Sequence, residues 1–230
     1  MEVFASPWPK RRIGSEYDGG YVICDLPGSY DRFISGGICN DSNFECALLD
    51  MYPELVCDAF DGSIDSVPMS HPRINFHKIF LGDKEDLSSY IQGYSNVFMK
   101  IDIEGHELRL IPKMIENGTI KNVKQIVIEF HSPVEYHLFP NHYINLDGLT
   151  SDDMINTMNR IHETHRLVHL HANNGCAVTN KIPNVFECTY IRTDDTLPYS
   201  CEVIPSSIDR PNCPELPEIV LDYPPFCFSK

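Results

Sequence analysis

Apolar residues along this chain come in short runs, and the polar stretches between them carry apolar positions three or four apart. The runs at 32–35, 54–60, 74–81, 97–102, 125–130, 166–172 and 187–192 predict strands. The run at 125–130, Gln-Ile-Val-Ile-Glu-Phe, is apolar enough to be buried on both faces, as parallel strands are. Three-to-four spacing predicts helices over 44–52, 84–91, 107–116 and 151–165. Phe44, Ala47, Leu48 and Met51 share a face of the first. Ile155, Met158 and Ile161 share a face of the last, behind a cap at Ser151-Asp152-Asp153. Asn117-Gly118 stops the third. The polar, aromatic stretch 131–148 reads as a loop or lid, and the first thirty residues as an irregular lead-in. Beyond Asp194, prolines at 198, 205, 211, 214, 217, 224 and 225 predict an extended tail wrapped on the surface.

Strands alternating with helices predict an α/β fold, a mainly parallel seven-stranded sheet with helices on both faces. The last two strands lack a long helix between them, which predicts that one runs antiparallel at the edge. The organisation expected is a lead-in at 1–30, one catalytic-type domain at 31–194, and a Pro-rich tail at 195–230 packed on that domain.

The chain's 230 residues suffice for a full core, and 42% apolar with 22% charged content is that of a globular protein. The net charge of −15 argues against nucleic acid and anionic membrane as partners and leaves a neutral or cationic small molecule or a glycan. No stretch approaches the roughly 20 apolar residues of a membrane span. No apolar signal region follows Met1, so a cytoplasmic location is expected. The nine cysteines are scattered and never spaced Cys-x-x-Cys, which disfavours zinc ribbons, dithiol redox sites and a disulfide framework. Only Cys201, Cys213 and Cys227, in the tail, are candidates for pairing.

Ligands of open parallel sheets bind beyond the carboxyl ends of the strands. Those ends here carry Gly36-Gly37, Asp61-Gly62, Gly82-Asp83, Asp102 and Glu129-x-His131. No phosphate-cradling Gly-x-x-x-x-Gly-Lys-Ser/Thr run or Gly-x-Gly-x-x-Gly run is present. Carboxylates without a phosphate site suit a nucleoside bound through its ribose and amines, as in S-adenosylmethionine. Asp-Gly pairs are also ordinary turn formers. Asp102 is harder to read that way, because an acid directly after Phe-Met-Lys-Ile must be solvated, paired or functional.

Residues 97–108, Val-Phe-Met-Lys-Ile-Asp-Ile-Glu-Gly-His-Glu-Leu, resemble the Lys-Ile-Asp-Ile-Glu-Gly-x-Glu signature of FkbM-type methyltransferases. Arg12-Ile13-Gly14 with Asp18-Gly19-Gly20-Tyr21 is similar to the opening segment of one branch of that family. Residues 34–45, Ile-Ser-Gly-Gly-Ile-Cys-Asn-Asp-Ser-Asn-Phe-Glu, resemble its first adenosylmethionine loop, and residues 59–62 its ribose-binding strand end. Stretches 126–131, 169–174 and 182–187 are similar too, so the resemblance runs through 11–192. It implies a Rossmann-like class I methyltransferase fold, S-adenosylmethionine as cofactor, and methylation of sugar hydroxyls in glycans. The cofactor would then lie on Gly36, Gly37, Asn40, Asp41, Asp61, Gly62, Gly82 and Asp83. The first loop departs from the commoner Asp-x-Gly-x-x-x-Gly, with Ser35 where an acid usually stands.

A sugar hydroxyl must lose its proton or be bound to a cation to attack a sulfonium methyl. Asp102, His131 and His106 are the candidates for that catalysis. Asp102, Glu129 and His131 form an alternative ligand set for Mg²⁺ or Mn²⁺, and the metal-free scheme is slightly preferred because three ligands are few for a hard cation. His171, Asn173 and Asn174 close the sixth strand and can hold a polar carbohydrate acceptor. Glu104 either caps the following helix or reaches the same substrate. Competing readings are a non-sugar hydroxyl on a natural product, lipid or protein, and a nicotinamide-dependent dehydrogenase. A non-catalytic glycan-binding module on a degenerate methyltransferase fold is a further one.

Overall fold

The computed structural model describes residues 1–82 and 87–226. A hairpin of β1 (Lys10–Gly14) and β2 (Gly20–Cys24) leads into β3 (Arg32–Gly36), α1 (Asn43–Met51), β4 (Cys57–Phe60), β5 (Ile74–His77) and α2 (Ser88–Ile91). Then come β6 (Val97–Ile101), α3 (Glu107–Glu116), β7 (Val123–His131), α4 (Pro133–Leu138) and α5 (Ser151–Ile161). The last elements are β8 (His165–Ala172), a two-residue hairpin of β9 (Val178–Thr179) and β10 (Ile182–Pro183), and β11 (Val185–Arg192).

Seven strands form one sheet in the order β5-β4-β3-β6-β7-β11-β8. From β5 to β7 the neighbours are parallel, while β11 pairs antiparallel with both β7 and β8. The antiparallel strand is therefore not at the edge as the sequence suggested. β11 inserts beside β7, and β8 takes the edge. Alternation along the strands splits the core between the faces. Met99, Ile101, Ile126 and Ile128 pack with Leu110 and Ile111 of α3 and Met158 and Ile161 of α5. Phe33, Cys57, Ala59, Phe98 and Val127 face the other way, onto Phe44 and Leu48 of α1 and onto Tyr21 and Ile23.

The lead-in is thus not irregular: every residue of β2 is buried, and the hairpin covers the sheet face that α1 leaves open. The expected lid contains α4, whose polar Glu135 is buried and accepts a hydrogen bond from Asn184 Nδ2 at 2.8 Å. The N-cap of α5 is Thr150 rather than Ser151. Its side chain and that of Asp153 satisfy each other's backbone amides in a capping box. Ile155 is 56% exposed, and the buried stripe of that helix is Met154, Thr157, Met158 and Ile161. The predicted 84–91 helix overlaps residues outside those described, and only its last turn, α2, is seen.

The tail is irregular and bound down by side chains. His169 Nε2 meets Asp209 Oδ1 at 2.8 Å, and Leu221 and Phe226 complete one core cluster. Cys201 and Cys213 are free thiols, and Cys227 lies outside the described residues. Among the described residues no helix is long and apolar enough to cross a membrane.

His165 shows how fully the edge strand is buried. Its Nε2 bonds the carbonyl of Val123 at 2.9 Å and its Nδ1 lies 2.8 Å from Thr164 Oγ1. Burial pushes its pKa down to about 4, so the imidazole is neutral. The unfolded chain, near the ordinary value of about 6.5, takes up that proton first. The contribution of neutral His165 to stability is therefore complete above about pH 7 and is lost as pH falls from about 6.5 towards 4. Between pH 7 and pH 5 the loss is about 2 kcal/mol. Denaturant melts of the parent and His165→Gln should converge by that amount between pH 7 and pH 5; a gap that stays constant overturns the assignment.

Candidate active site

The carboxyl ends of β3, β4, β6 and β7 meet on one edge of the sheet. Gly37 stands there with φ +78°, and a Cβ on it would lie 1.5 Å from the carbonyl oxygen of Asp102. The loop after β3 can follow this path only because the residue is glycine. The amide of Asp102 donates to the carbonyl of Gly36 at 2.9 Å, and that of Gly37 to Phe60 at 2.9 Å. Lys100 Nζ donates to the Gly37 carbonyl at 2.6 Å.

Asp61 braces this loop from β4. One carboxylate oxygen accepts the amides of Ile38 and Cys39, at 2.9 and 2.8 Å, and the other accepts the amide and hydroxyl of Ser63. Those bonds outweigh partial burial and hold its pKa below the usual value. Asp61 has thus committed its acceptor positions to the protein, a task its sequence position did not reveal. Asp41 accepts the amide of Asn43 at 2.8 Å at the head of α1, while Asn40 is exposed beside it. An acid does reach Ser35, but from the helix behind the loop. Glu45 of α1 is buried and accepts from Ser35 Oγ at 2.6 Å. Gly62 lies beneath the ring of Phe80, which is 71% exposed. Gly82, at φ +133°, packs against the His106 ring, whose Nδ1 has no hydrogen-bond partner among the described residues. Asp83 lies outside the described residues.

Beside the glycine loop is a polar cluster. Tyr21, delivered by the hairpin, donates its hydroxyl to Asp102 Oδ2 at 2.8 Å and lies 3.3 Å from Glu129 Oε2. One hydroxyl proton cannot serve both. Burial, reinforced by the charge of Asp102, holds the Glu129 carboxyl protonated far above the usual carboxylate range, so its own proton serves the second contact. Asn173 Nδ2 donates to Glu129 Oε1 at 2.9 Å and fixes it. Asp102 keeps its side chain 25% exposed, the open end of this chain of bonds.

His131 is 4% exposed, with Nδ1 3.4 Å from Glu107 Oε1 and Nε2 3.5 Å from Glu104 Oε2. Burial alone would lower its pKa, but Glu107 and Asp102 overcome this and raise it to about 10. The ring is an imidazolium at neutral pH and cannot take a proton there, which argues against His131 as a free general base. Glu104 does not cap α3, whose N-cap is His106. The Glu104 backbone is left-handed, φ +54°, and its carboxylate turns to His131 and to His142, 3.0 Å away. Glu107 instead reaches back to the amide of Ile103 at 2.8 Å. Ligand atoms of Asp102, Glu104 and His131 lie within 4.8 Å of one another. Glu129, named with Asp102 and His131 in the sequence reading, is outside that group and is engaged with Tyr21 and Asn173.

His171 and Asn174 are spent on the tail. His171 lies 3.0 Å from Glu187 and 3.1 Å from Glu218; burial opposes its charge, but these carboxylates raise its pKa to about 9. Asn174 bonds the backbone of Cys213 and Leu216. Both ring nitrogens of His171 and the Nδ2 of Asn174 are thus engaged within the protein. Tyr21, Glu45, Phe80 and Glu107 were missed by the sequence reading. Tyr21 and Glu45 end motifs that were noted for their resemblance without a role for either side chain, and Phe80 lay in a run assigned to a strand.

No protein-family model matches this chain, and no curated protein is significantly similar to it. Solved structures are similar at low identity. The fibrillarin/Nop5p complex is 12% identical with a TM-score of 0.42, over 73% of this chain and 75% of that one. A cyclopropane-fatty-acyl-phospholipid synthase-like protein from Lactobacillus casei is 9% identical, TM-score 0.40, over 70% and 84%. A 16S rRNA (adenine(1408)-N(1))-methyltransferase from Catenulisporales acidiphilia is 9% identical, TM-score 0.36, over 71% and 85%. The fold is assigned on its strand order. Counted along the chain, the sheet strands run 3-2-1-4-5-7-6 with the seventh antiparallel, which is the Rossmann-like class I methyltransferase fold.

Proposed function

We propose that this protein is an S-adenosylmethionine-dependent O-methyltransferase whose acceptor is a sugar hydroxyl in a glycan. One juxtaposition carries the reading: a glycine loop closed onto the Asp102 carbonyl stands next to the Asp102–Glu104–His131 cluster, at the carboxyl ends of a parallel sheet. The glycine side suits a nucleoside. Its glycines let the loop after β3 close onto Asp102 and let the Phe80 ring lie on Gly62, and that ring, 71% exposed, is offered to adenine. The cluster side suits a polyhydroxyl acceptor, and the net charge of −15 disfavours an RNA one.

The cofactor, when bound, supplies an electrophilic methyl on its sulfonium. Tyr21, backed by Glu129, holds the Asp102 carboxylate through Oδ2, leaving Oδ1 to receive the acceptor's hydroxyl proton. His131, charged, stabilises negative charge nearby rather than removing the proton. In this role Gly36, Gly37, Gly62 and Gly82 shape the cofactor's side, and Asp61 acts by bracing the loop.

Calorimetry should show binding of S-adenosylmethionine and S-adenosylhomocysteine, and labelled cofactor should transfer methyl to a member of a methyl-free glycan panel. Phe80→Ala should weaken cofactor binding roughly tenfold with an unchanged melting temperature, since a stacked base contributes about 1–3 kcal/mol. No heat with either ligand overturns the cofactor. Transfer to lipid, protein or natural-product hydroxyls but to no glycan overturns the acceptor.

A further inference from the structure

The carboxylates around His131 exceed the cations set among them. Lys100 Nζ stands 3.8 Å from Asp102 but is bonded to the Gly37 carbonyl at 2.6 Å. Nδ1 of His131 makes no hydrogen bond to any described residue, although the ring is almost wholly buried. Its Nε2 is aimed into the cluster at 3.5 Å from Glu104 Oε2, longer than an ordinary hydrogen bond. The ring is therefore held between carboxylates without being properly bonded by them.

We propose that Asp102, Glu104 and His131 bind a divalent cation of the Mn²⁺ type. Their ligand atoms lie within 4.8 Å of one another, the span of donors around a single cation with bonds of about 2.0–2.6 Å. Binding displaces one ring proton of His131 to solvent, so that Nε2 ligates the cation while the proton kept on Nδ1 is donated towards Glu107, 3.4 Å away. That carboxylate behind a ligating imidazole orients the ring and fixes its tautomer. Glu107 is itself fixed by the Ile103 amide. Two carboxylates with one imidazole suit Mn²⁺ better than Mg²⁺, which prefers oxygen throughout. Three protein ligands leave positions open. On the methyltransferase reading, on which this role rests, vicinal hydroxyls of the sugar fill them, and the cation acidifies the hydroxyl that receives the methyl. Asp102 is then a ligand, and the hydroxyl proton passes to solvent or to His142, which now leans on Glu104.

The test uses the full chain, stripped with chelator and titrated with Mn²⁺ under electron paramagnetic resonance. One Mn²⁺ per chain should bind, with spin-echo modulation from a coordinated imidazole nitrogen. Glu104→Gln, a change at a side chain 53% exposed, should keep the parent's melting temperature and weaken Mn²⁺ at least tenfold. His131→Gln should remove the nitrogen modulation, and Glu107→Gln should weaken binding without removing it. No binding at all, binding without nitrogen modulation, or a Glu104→Gln protein that binds as the parent does overturns the site. S-adenosylmethionine titrated into the same stripped protein separates the two readings. Cofactor binding without Mn²⁺ binding defeats the cation site alone, and Mn²⁺ binding without cofactor binding defeats the methyltransferase reading alone.

Discussion

An Asp102→Asn protein is expected to melt within a few degrees of the parent and to lose at least a hundredfold in methyl transfer. Asn keeps the size of Asp, and its side-chain oxygen still accepts from the Tyr21 hydroxyl, so the link from the hairpin to β6 survives. What disappears is the charge. Whether Asp102 takes a proton directly or ligates a cation, an amide oxygen is the poorer group, and general-base contributions of about 10²–10⁴ are typical. The neighbours of Asp102 sharpen the expectation. With that charge gone, Glu129 loses one cause of its raised pKa and His131 loses one of the carboxylates that keep it charged. The pH profile of residual activity should therefore shift as well as fall. Turnover at saturating cofactor, set beside a thermal melt, checks both halves. Activity within a few-fold of the parent would remove Asp102 from the chemistry.

The sequence carried the sheet well because each central strand is a run buried on both faces and each helix shows its own period. The 107–116 helix has the predicted bounds, and β6 ends one residue before Asp102. Three features were illegible for physical reasons. The β1–β2 hairpin begins Lys-Arg-Arg, and its buried strand is only five residues long, so its period is too short to stand out. Helix α4 buries Glu135 against Asn184, 49 residues away, and a polar residue paired at that distance reads locally as a loop. The place of β11 between β7 and β8 is a long-range pairing that no local pattern encodes.

The candidate site divides along the same line. Asp102 and His131 were legible because a charged or titratable group closes an apolar strand, which burial makes costly unless it is used. The partners that decide their chemistry were not. Tyr21 lies 81 residues from Asp102 and 108 from Glu129, and nothing in its own neighbourhood marks it as more than a core aromatic. The His171 and Asn174 readings went astray because their partners lie in a tail whose prolines predict its extension but not where it docks. Glu104 stands with Asp102 and His131, and Glu129 outside them, for a subtler reason. Alternation places Glu129 and His131 on one face, but only the left-handed turn at Glu104 brings its carboxylate back over β7.

Gly37→Ala should cause a larger loss of stability than Asp102→Asn, and Gly118→Ala provides its control. The two glycines have almost the same backbone, φ +78° and +81°, so alanine meets a similar left-handed strain at both, about 1–2 kcal/mol. Their surroundings differ. Nothing lies within 4 Å of a Cβ at Gly118, whereas at Gly37 it would sit 1.5 Å from the Asp102 carbonyl oxygen and 2.6 Å from the carbon behind it. Backbone on both sides cannot swing aside as a side chain would. The loop after β3 and the end of β6 must separate, stretching the Asp102–Gly36 hydrogen bond and the Lys100 contact to Gly37. Adding about 1–3 kcal/mol for that overpacking gives a total of about 2–5 kcal/mol. At roughly 2–4 °C per kcal/mol for a domain of this size, the Gly37 variant should melt about 10 °C below the parent, and the Gly118 variant about 3 °C below. The molecules that remain folded should also bind cofactor poorly, since the same displacement moves both the loop and Asp102. Equal melting temperatures for the two variants would mean that the loop does not press on β6 as described, and that the glycine is present for its backbone angle alone.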